Sequence, residues 1–356
     1  YYYPGERVRL PDDPDGTYFE DPARASGNCF SPSPALTDWY ETVRLNYCDF
    51  HTRTWDKMYA IVRYWARLGV DGFRCDMVEM VPREFFRWMI SRIKSEFPDI
   101  VFIAEVYQKE RYREYVDNVG FDILYDKSGL YDTLRAVLCS GATAEGITWN
   151  WQGLGDLQPR MLNFLENHDE QRLASDFFAG KPENGYAALA VSLLFNDAPF
   201  MLYYGQEVGE RGMDCEPFSG LNGRTTIFDW WKVASLGRLW NTVHDMEDGL
   251  EEGELPVLGR YREILSMAVS RPAFRHGETH DLQYLQGPSF DRRRLFCWLR
   301  YDRTETFLVA ANFNPEEVRT EIYVPYIPGC NKGPSTFSVT VPGRDYCILD
   351  ISSFSI

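Results

Sequence analysis

The sequence predicts an α/β fold of the (β/α)8-barrel type, followed by a C-terminal antiparallel β-sandwich domain. Between residues 55 and 205, five apolar segments of strand length alternate with helical segments, which is typical of a parallel sheet. Three of these segments end in ionisable residues, and a barrel of this type has its active site at the carboxyl ends of its strands. From about residue 280 the pattern changes to strand-like runs joined by turns.

The predicted elements follow one another in a regular order along the chain. Residues 52–70 have apolar side chains every three or four positions, which predicts a helix that ends near Gly69. Residues 82–97 predict a second helix, with Pro82 in its first turn. The predicted strands are 70–76, 100–106, 121–126, 161–169 and 199–205, and the further helical segments are 108–118, one that starts at residue 133, 186–195 and 260–270.

The composition pattern predicts three regions. Residues 1–50 are rich in Pro, Gly and Asp and show no sustained period, residues 51–279 contain the α/β pattern, and residues 280–356 form an all-β domain. The strand-like runs of that last domain are 294–302, 306–314, 319–326, 336–343 and 345–351.

Charge and hydropathy exclude several classes of partner. The net charge of −16 argues against nucleic acid, because a phosphate backbone requires clustered Lys and Arg. The longest apolar run, residues 187–195, is too short to cross a bilayer, so we expect no membrane insertion. Aromatic residues make up 15% of the chain, which suits a large core and equally a sugar-binding cleft. Composition alone leaves both interpretations open.

Arg74, Asp76 and Glu105 form the main candidate site. Arg74 and Asp76 are two positions apart, so both point to the same face of a strand. Glu105 ends the next strand, and neighbouring strands are about 4.8 Å apart. A retaining glycosidase needs two carboxyl groups about 5–5.5 Å apart, one as nucleophile and one as acid and then base. We expect Arg74 to orient Asp76 and keep it ionised, and Glu105 to be protonated when it acts as the acid.

His168 and Asp169 follow a third strand and are candidates for binding the sugar hydroxyls. Taken singly, each candidate has a structural alternative. Arg74 and Asp76 could be an ion pair of the barrel interior, Glu105 could cap a helix, and His168 could be a core histidine.

Aromatic residues near the predicted strand ends are candidate sugar platforms. Tyr107 lies two residues past Glu105. Trp149 and Trp151 are predicted to lie in the loop between the predicted strands 121–126 and 161–169, where stacking on a sugar and packing on a helix are equally acceptable roles. Trp230 and Trp231 follow the last predicted barrel strand and leave the same two roles open.

Three segments, "GFRCDMVEM", "IAEV" and "FLENHD", resemble three of the four signature regions of glycoside hydrolase family 13, the α-amylase family. Their spacing is similar to that of the fourth, fifth and seventh barrel strands, so strands four to eight are the visible ones. The resemblance implies that Asp76 is the nucleophile, Glu105 the acid/base and Asp169 the transition-state stabiliser. It also implies that Arg74 and His168 position the substrate and the nucleophile.

Further segments extend the resemblance over about residues 35–315. Residues 37–47 resemble the return from the family's B domain to the barrel, so residues 1–50 are interpreted as a B-domain remnant. Residues 307–314, "FLVAANFN", resemble a strand of the family's C-terminal β domain.

The sequence departs from the family pattern in two places. The first signature region and three βα units are missing before residue 50, so we expect the sequence to start inside the B domain. Met80 stands where many α-amylases have a His whose backbone carbonyl binds calcium. With the Asn of the first signature region also missing, the resemblance gives only weak support for a structural calcium, which stays possible, and the chemistry itself requires no cofactor.

The predicted function is that of a retaining α-glucan hydrolase, whose substrate is an oligo- or polysaccharide. The α-1,4 linkage is the family default. Two alternatives stay open: a transglycosylase or isomerase with the same covalent intermediate, and a catalytically inactive relative that serves as a binding subunit. The sequence does not determine linkage or chain-length preference, oligomeric state or compartment, although a secreted or periplasmic location is favoured over a cytoplasmic one.

Overall fold

The computed structural model describes residues 45, 47, 53–214, 221–225, 232–327 and 334–353. Residues 1–50, apart from Leu45 and Tyr47, lie outside this part, as do Trp230 and Trp231, so the expectations for them stay predictions. The chain divides into two compact units at Tyr125, and each unit is described by itself. The predicted bounds of the three regions also stay predictions.

The first unit contains a parallel sheet of three strands, in the order in which they occur along the chain. Each predicted strand of this unit is present, and each is shorter than its apolar segment. The elements are α1 (Thr54–Arg67), β1 (Gly72–Cys75), α2 (Arg83–Glu96), β2 (Val101–Ala104) and β3 (Ile123–Tyr125), with 310 turns at Val78–Met80 and Lys109–Arg111 and a π-helix at Glu114–Val119.

The two α-helices of the first unit follow their sequence signals. Helix α1 ends at Arg67, and Gly69 then takes a positive φ of 90°, where glycine avoids the steric cost that other residues have. In α2 the whole predicted apolar face is buried, which fixes the side of the helix that packs inward. The buried residues are Phe85, Phe86, Met89, Ile90 and Ile93. The predicted helical segment 108–118 consists of a 310 turn at Lys109–Arg111 and most of the π-helix Glu114–Val119.

The register between β1 and β2 fixes the positions that follow them. Gly72 pairs with Val101 at one end, and Cys75 pairs with Ala104 at the other. A Cβ atom on Gly72 would lie 2.5 Å from the carbonyl oxygen of Val101, so the strand accepts only glycine here without moving. The residues directly after the last pair are Asp76, which follows β1, and Glu105, which follows β2.

Gly72→Ala is expected to destabilise the protein by about 1–3 kcal/mol, because the atom in the way belongs to the backbone and cannot rotate aside. The free energy of unfolding from urea titration measures the effect. Gly237→Ala is the control, since a Cβ there meets no atom within 4 Å and the residue lies inside a helix. The control should be more stable by about 0.5–1 kcal/mol. Equal effects of both variants would contradict the predicted clash.

The second unit begins with alternating helices and strands and ends in β strands. Strands β4 and β5 are parallel neighbours. The elements are α3 (Asp132–Cys139), α4 (Glu145–Leu154), β4 (Met161–Phe164), α5 (Tyr186–Leu194), β5 (Phe200–Met201), α6 (Ala234–Val243), α7 (Glu254–Ser270), α8 (Pro272–Arg275), β6 (Glu278–Asp281), β7 (Leu295–Tyr301), β8 (Thr306–Asn312), β9 (Val318–Val324), β10 (Ser335–Val341) and β11 (Tyr346–Asp350). Short helical turns lie at Lys127–Tyr131, Gly155–Arg160, Pro182–Gly185, Gln206–Val208 and Gln283–Leu285.

The C-terminal strands form two antiparallel sheets that share one core. One sheet has the order β11-β8-β7-β6, and the other pairs β10 with β9. Buried side chains from both sheets form a single cluster, which includes Leu299 and Leu308 of the first sheet and Ile322 and Val339 of the second. Each of the five predicted strand-like runs overlaps one of β7 to β11, whereas β6 was not predicted.

The central strands β7 and β8 are buried along their whole length, because helix α5 also packs near this sheet. Side chains of the sheet satisfy carbonyl groups at the end of that helix. Trp298 Nε1 donates to the carbonyl of Leu194 at 3.2 Å, and Thr279 Oγ1 donates to the carbonyl of Phe195 at 2.6 Å. The last turn of α5 is therefore capped by residues of β6 and β7.

Candidate active site

The first unit places Arg74 beside both predicted catalytic carboxylates. Nη1 of Arg74 donates a hydrogen bond to Oδ1 of Asp76, and Nη2 lies 3.1 Å from Oε1 of Glu105. Burial acts to lower the pKa of Arg74, but the negative charges of Glu105 and Asp76 act in the opposite direction and raise it above its usual value. One permanently charged guanidinium thus connects the ends of two neighbouring strands.

Glu105 is buried, with only 2% of its surface exposed, whereas the side chain of Asp76 is 60% exposed. The buried carboxylate accepts hydrogen bonds on both oxygens. Oε2 accepts from the backbone N–H of Met77 at 2.8 Å, and Oε1 accepts from the hydroxyl of Tyr107 at 2.7 Å. Its orientation is therefore fixed from both sides, as a proton-transfer group requires.

The backbone of Met77 takes the left-handed conformation, with φ 45° and ψ 45°. Non-glycine residues take this conformation at an energetic cost, and such residues cluster at functional sites. Here the conformation reverses the chain directly after Asp76 and directs the Met77 N–H toward Glu105. Val78, the next residue, is fully buried and holds the turn against the protein interior.

Glu79 connects the loop after β1 to the loop after β2. Its Oε2 accepts from the backbone N–H of Tyr107 at 3.0 Å, and its Oε1 accepts from the backbone N–H of Gln108 at 3.2 Å. In the sequence, Glu79 is marked only as a further carboxylate three residues past Asp76, so its contacts were not predicted.

The second unit contains the other two family-type residues, His168 and Asp169, after the end of β4. Nε2 of His168 lies 3.2 Å from Oδ2 of Asp169, so the two side chains form one polar pair. The side chain of Asn167 accepts from the backbone N–H groups of Asp169 and Glu170, which holds this turn in shape. The structure describes the two parts of the candidate site separately, and their convergence on one substrate stays a prediction.

Glu166 and Arg172 form a buried ion pair in the same unit. Nη1 of Arg172 lies 2.8 Å from Oε2 of Glu166, and both side chains are essentially inaccessible. Arg172 also donates to the carbonyl of Tyr204 and to the hydroxyl of Thr225. Burial raises the pKa of Glu166, and the charge of Arg172 opposes that rise. The pair is thus a structural support of the segment that contains His168 and Asp169.

The candidate aromatic residues lie in different surroundings. Tyr107 is 40% exposed, and its hydroxyl contacts Glu105. Trp149 and Trp151 lie within helix α4, so the predicted loop location was wrong. The side chain of Trp151 packs against the ring of Phe195, with ring centroids 5.5 Å apart, whereas Trp149 is 58% exposed. Their predicted contact with substrate stays a prediction.

The part of the chain that the structure describes has no group of three His, Cys, Asp or Glu residues arranged to hold a metal ion. None of its helices has the length and apolar character that a membrane crossing requires.

Comparison with known proteins identifies the family of this chain. Residues 41–252 match the model of the alpha amylase catalytic domain family. This chain belongs to that family.

Individual relatives cover different shares of the chain. Alpha-amylase 3 of Dictyoglomus thermophilum is 23% identical over 255 residues, which are 67% of this chain and 50% of that protein. The alpha-1,4-glucan:maltose-1-phosphate maltosyltransferase of Rhodospirillum rubrum is 27% identical over 268 residues, 73% of this chain and 34% of that protein. The chain thus spans half or less of the length of these two relatives.

A solved structure with a similar fold is the ligand-free cyclic alpha-maltosyl-(1→6)-maltose hydrolase from Arthrobacter globiformis. It superposes with a TM-score of 0.64 at 19% identity, over 93% of this chain and 67% of that chain. Together with the family match, this likeness confirms the predicted barrel fold with an additional β domain.

Proposed function

We propose that this protein is a retaining α-glucan hydrolase in which Asp76 is the nucleophile and Glu105 is the acid/base. The observation that carries the proposal is the contact of one guanidinium, that of Arg74, with both carboxylates. Two carboxyl groups that share a guanidinium lie close together, which favours the separation of about 5–5.5 Å used by retaining enzymes over the wider one of inverting enzymes.

The proposed reaction has two steps. The carboxylate of Asp76 attacks the anomeric carbon, the bond from that carbon to the glycosidic oxygen breaks, and Glu105 donates its proton to the departing oxygen. Glu105, now ionised, then takes a proton from water, and the water oxygen displaces Asp76 from the anomeric carbon. Two displacements at one carbon leave its configuration unchanged. Asp169 and His168 are proposed to bind sugar hydroxyls as positive charge develops on the ring.

The exposure of the two carboxylates supports these roles. Asp76 is open to solvent, so an anomeric carbon can approach it. Glu105 is enclosed and held by donors on both oxygens, which suits a group that must deliver a proton in a fixed direction. The names of the relatives, an α-amylase and a maltosyltransferase, support an α-glucan as substrate.

Incubation with maltotetraose tests the proposal. We expect products shorter than the substrate, with the α-anomer appearing first in the proton NMR spectrum of the new reducing ends. First appearance of the β-anomer would contradict the retaining mechanism, and absence of any turnover would favour the inactive binding subunit.

Glycosyl transfer is the second candidate function, because the same covalent intermediate can react with a sugar hydroxyl or a phosphate in place of water. The similarity to a maltosyltransferase supports glycosyl transfer as a candidate function. Products longer than maltotetraose would identify transfer between sugars. A polymer formed from added maltose 1-phosphate would identify the reaction that the name of that relative describes.

A further inference from the structure

We propose that Glu79 is a positioning residue for the acid/base: its carboxylate holds the backbone of Tyr107 so that the Tyr107 hydroxyl stays on Glu105. This inference rests on the proposed function, since it assigns a role to the environment of Glu105. Glu79 itself needs no contact with substrate in this role.

The two hydrogen bonds of Glu79 carry the first step. Both of its oxygens are engaged by consecutive backbone N–H groups, those of Tyr107 and Gln108, at 3.0 Å and 3.2 Å. An ionised carboxylate that accepts two backbone N–H groups forms strong, directional hydrogen bonds. Glu79 lies in the turn after β1, and its partners lie in the loop after β2, so the bonds connect the two loops that contain the proposed catalytic pair.

The position of Tyr107 carries the second step. Its hydroxyl donates to Oε1 of Glu105 at 2.7 Å, while 40% of the residue is exposed to solvent. A ring that is exposed to this extent depends on its backbone for its direction more than a ring packed on all sides does. Holding the Tyr107 backbone therefore holds the hydroxyl, and the hydroxyl holds one oxygen of Glu105.

The arrangement divides the support of Glu105 between the two loops. Met77 holds Oε2 directly through its backbone N–H, whereas Oε1 is contacted by Nη2 of Arg74 and is also held through the chain from Glu79 to Tyr107. Loss of Glu79 leaves the contacts of Met77 and Arg74 with Glu105 in place and loosens the contact of the Tyr107 hydroxyl. Because proton transfer depends steeply on geometry, a displacement of about 1 Å is sufficient to slow the step that needs the proton by about 100-fold.

Two substrates separate this role from a general structural one. Cleavage of maltotetraose requires a proton on the departing oxygen, whereas fluoride leaves α-maltosyl fluoride with little help from an acid. We expect Glu79→Ala and Tyr107→Phe each to lower kcat/KM for maltotetraose by about 10- to 100-fold and kcat/KM for the fluoride by less than about 3-fold. Equal loss on both substrates, or no loss on either, would overturn the proposal.

The variants Glu79→Gln and Glu84→Gln provide the controls. Glu79→Gln keeps one acceptor oxygen for one backbone N–H and should lie between the wild type and Glu79→Ala. Glu84 lines the same cavity of about 380 Å³ as Glu79 but pairs with Arg83, so Glu84→Gln should retain wild-type ratios of the two kcat/KM values.

A double-mutant cycle tests whether Glu79 acts through Tyr107. The combined Glu79→Ala/Tyr107→Phe variant should be no slower on maltotetraose than the slower single variant, because both changes break the same chain of contacts. If the fold loss in kcat/KM of the double variant equals the product of the two single losses, the two residues act independently. This result would also overturn the proposal.

Hydrogen exchange gives a measurement that does not depend on activity. In the full chain, Glu79→Ala should speed the exchange of the amide protons of Tyr107 and Gln108, while Glu84→Gln should leave it unchanged. Unchanged exchange in Glu79→Ala would overturn the inference whatever the enzyme does. Retention of wild-type activity on maltotetraose by Glu105→Gln would instead reject the proposed function.

Discussion

Asp76→Ala is expected to lower kcat/KM for maltotetraose by about 10⁴-fold or more, because the first displacement then has no nucleophile. The fold should persist, since the side chain of Asp76 is 60% exposed and contacts Arg74 at the surface of the site. Steady-state kinetics measure the loss, and circular dichroism confirms that the variant is folded.

Azide distinguishes a nucleophile from a residue that only positions the substrate. In Asp76→Ala, azide can occupy the vacated space and attack the anomeric carbon of α-maltosyl fluoride, so that a carbon–nitrogen bond forms and fluoride leaves. One displacement inverts the carbon, and the expected product is the β-maltosyl azide. Formation of the α-azide, or wild-type activity without azide, would contradict the assignment of Asp76.

Glu105→Gln completes the test of the catalytic pair. Glutamine has the shape of Glu105 but no acidic proton, so kcat/KM for maltotetraose should fall by about 10²–10⁴-fold. With an aryl α-maltoside as substrate, the rate of the first displacement should fall by less, because the aryl leaving group needs less protonation. Similar losses for both substrates would argue against an acid role for Glu105.

Arg172→Met is expected to have the largest effect on stability, about 3–5 kcal/mol in the free energy of unfolding. The guanidinium is completely buried and pairs with Glu166 at 2.8 Å, so its removal leaves a buried carboxylate without its charge partner. Burial raises the pKa of Glu166, and in the variant Arg172 no longer opposes that rise. Urea titration gives the size of the loss.

The sign of the pH dependence follows from the raised pKa of Glu166. A carboxyl whose folded-state pKa lies above its unfolded value of 4.5 contributes most stability when protonated, and loses it as pH rises. The penalty of Arg172→Met should therefore be smaller at pH 5 than at pH 8. Arg211→Met is the matched control, since Arg211 forms an exposed ion pair with Asp176. Arg211→Met should lower the free energy of unfolding by no more than about 1 kcal/mol at both pH values.

Much of the fold was predictable because its elements carry local signals. Alternating or continuous apolar runs in the sequence predicted all five parallel strands and the last five antiparallel strands. The buried apolar face of α2 was predicted residue by residue. Helix α4 was missed because its two tryptophans are two positions apart, a spacing that does not define one face of a helix. Because of that spacing, the side chain of Trp149 is exposed whereas the side chain of Trp151 packs against Phe195.

The candidate site was predictable in its side chains and not in its backbone contacts. Asp76 and Glu105 are the first residues after two paired strands, as the apolar segments before them indicated. The left-handed conformation of Met77 has no sequence signal, because residues in that conformation are usually Gly or Asn. The bonds of Glu79 depend on where two backbone N–H groups of another loop point, which only the folded chain determines.

The capping of α5 by β6 and β7 has a consequence for protein engineering. Trp298 and Thr279 supply donors to the helix from the outside, so the C-terminal β domain is not an interchangeable attachment. Replacing it with the corresponding domain of a relative would remove these donors unless the incoming strands provided equivalent ones. A chimera should therefore exchange α5 and the C-terminal β domain together, so that both come from the same parent protein.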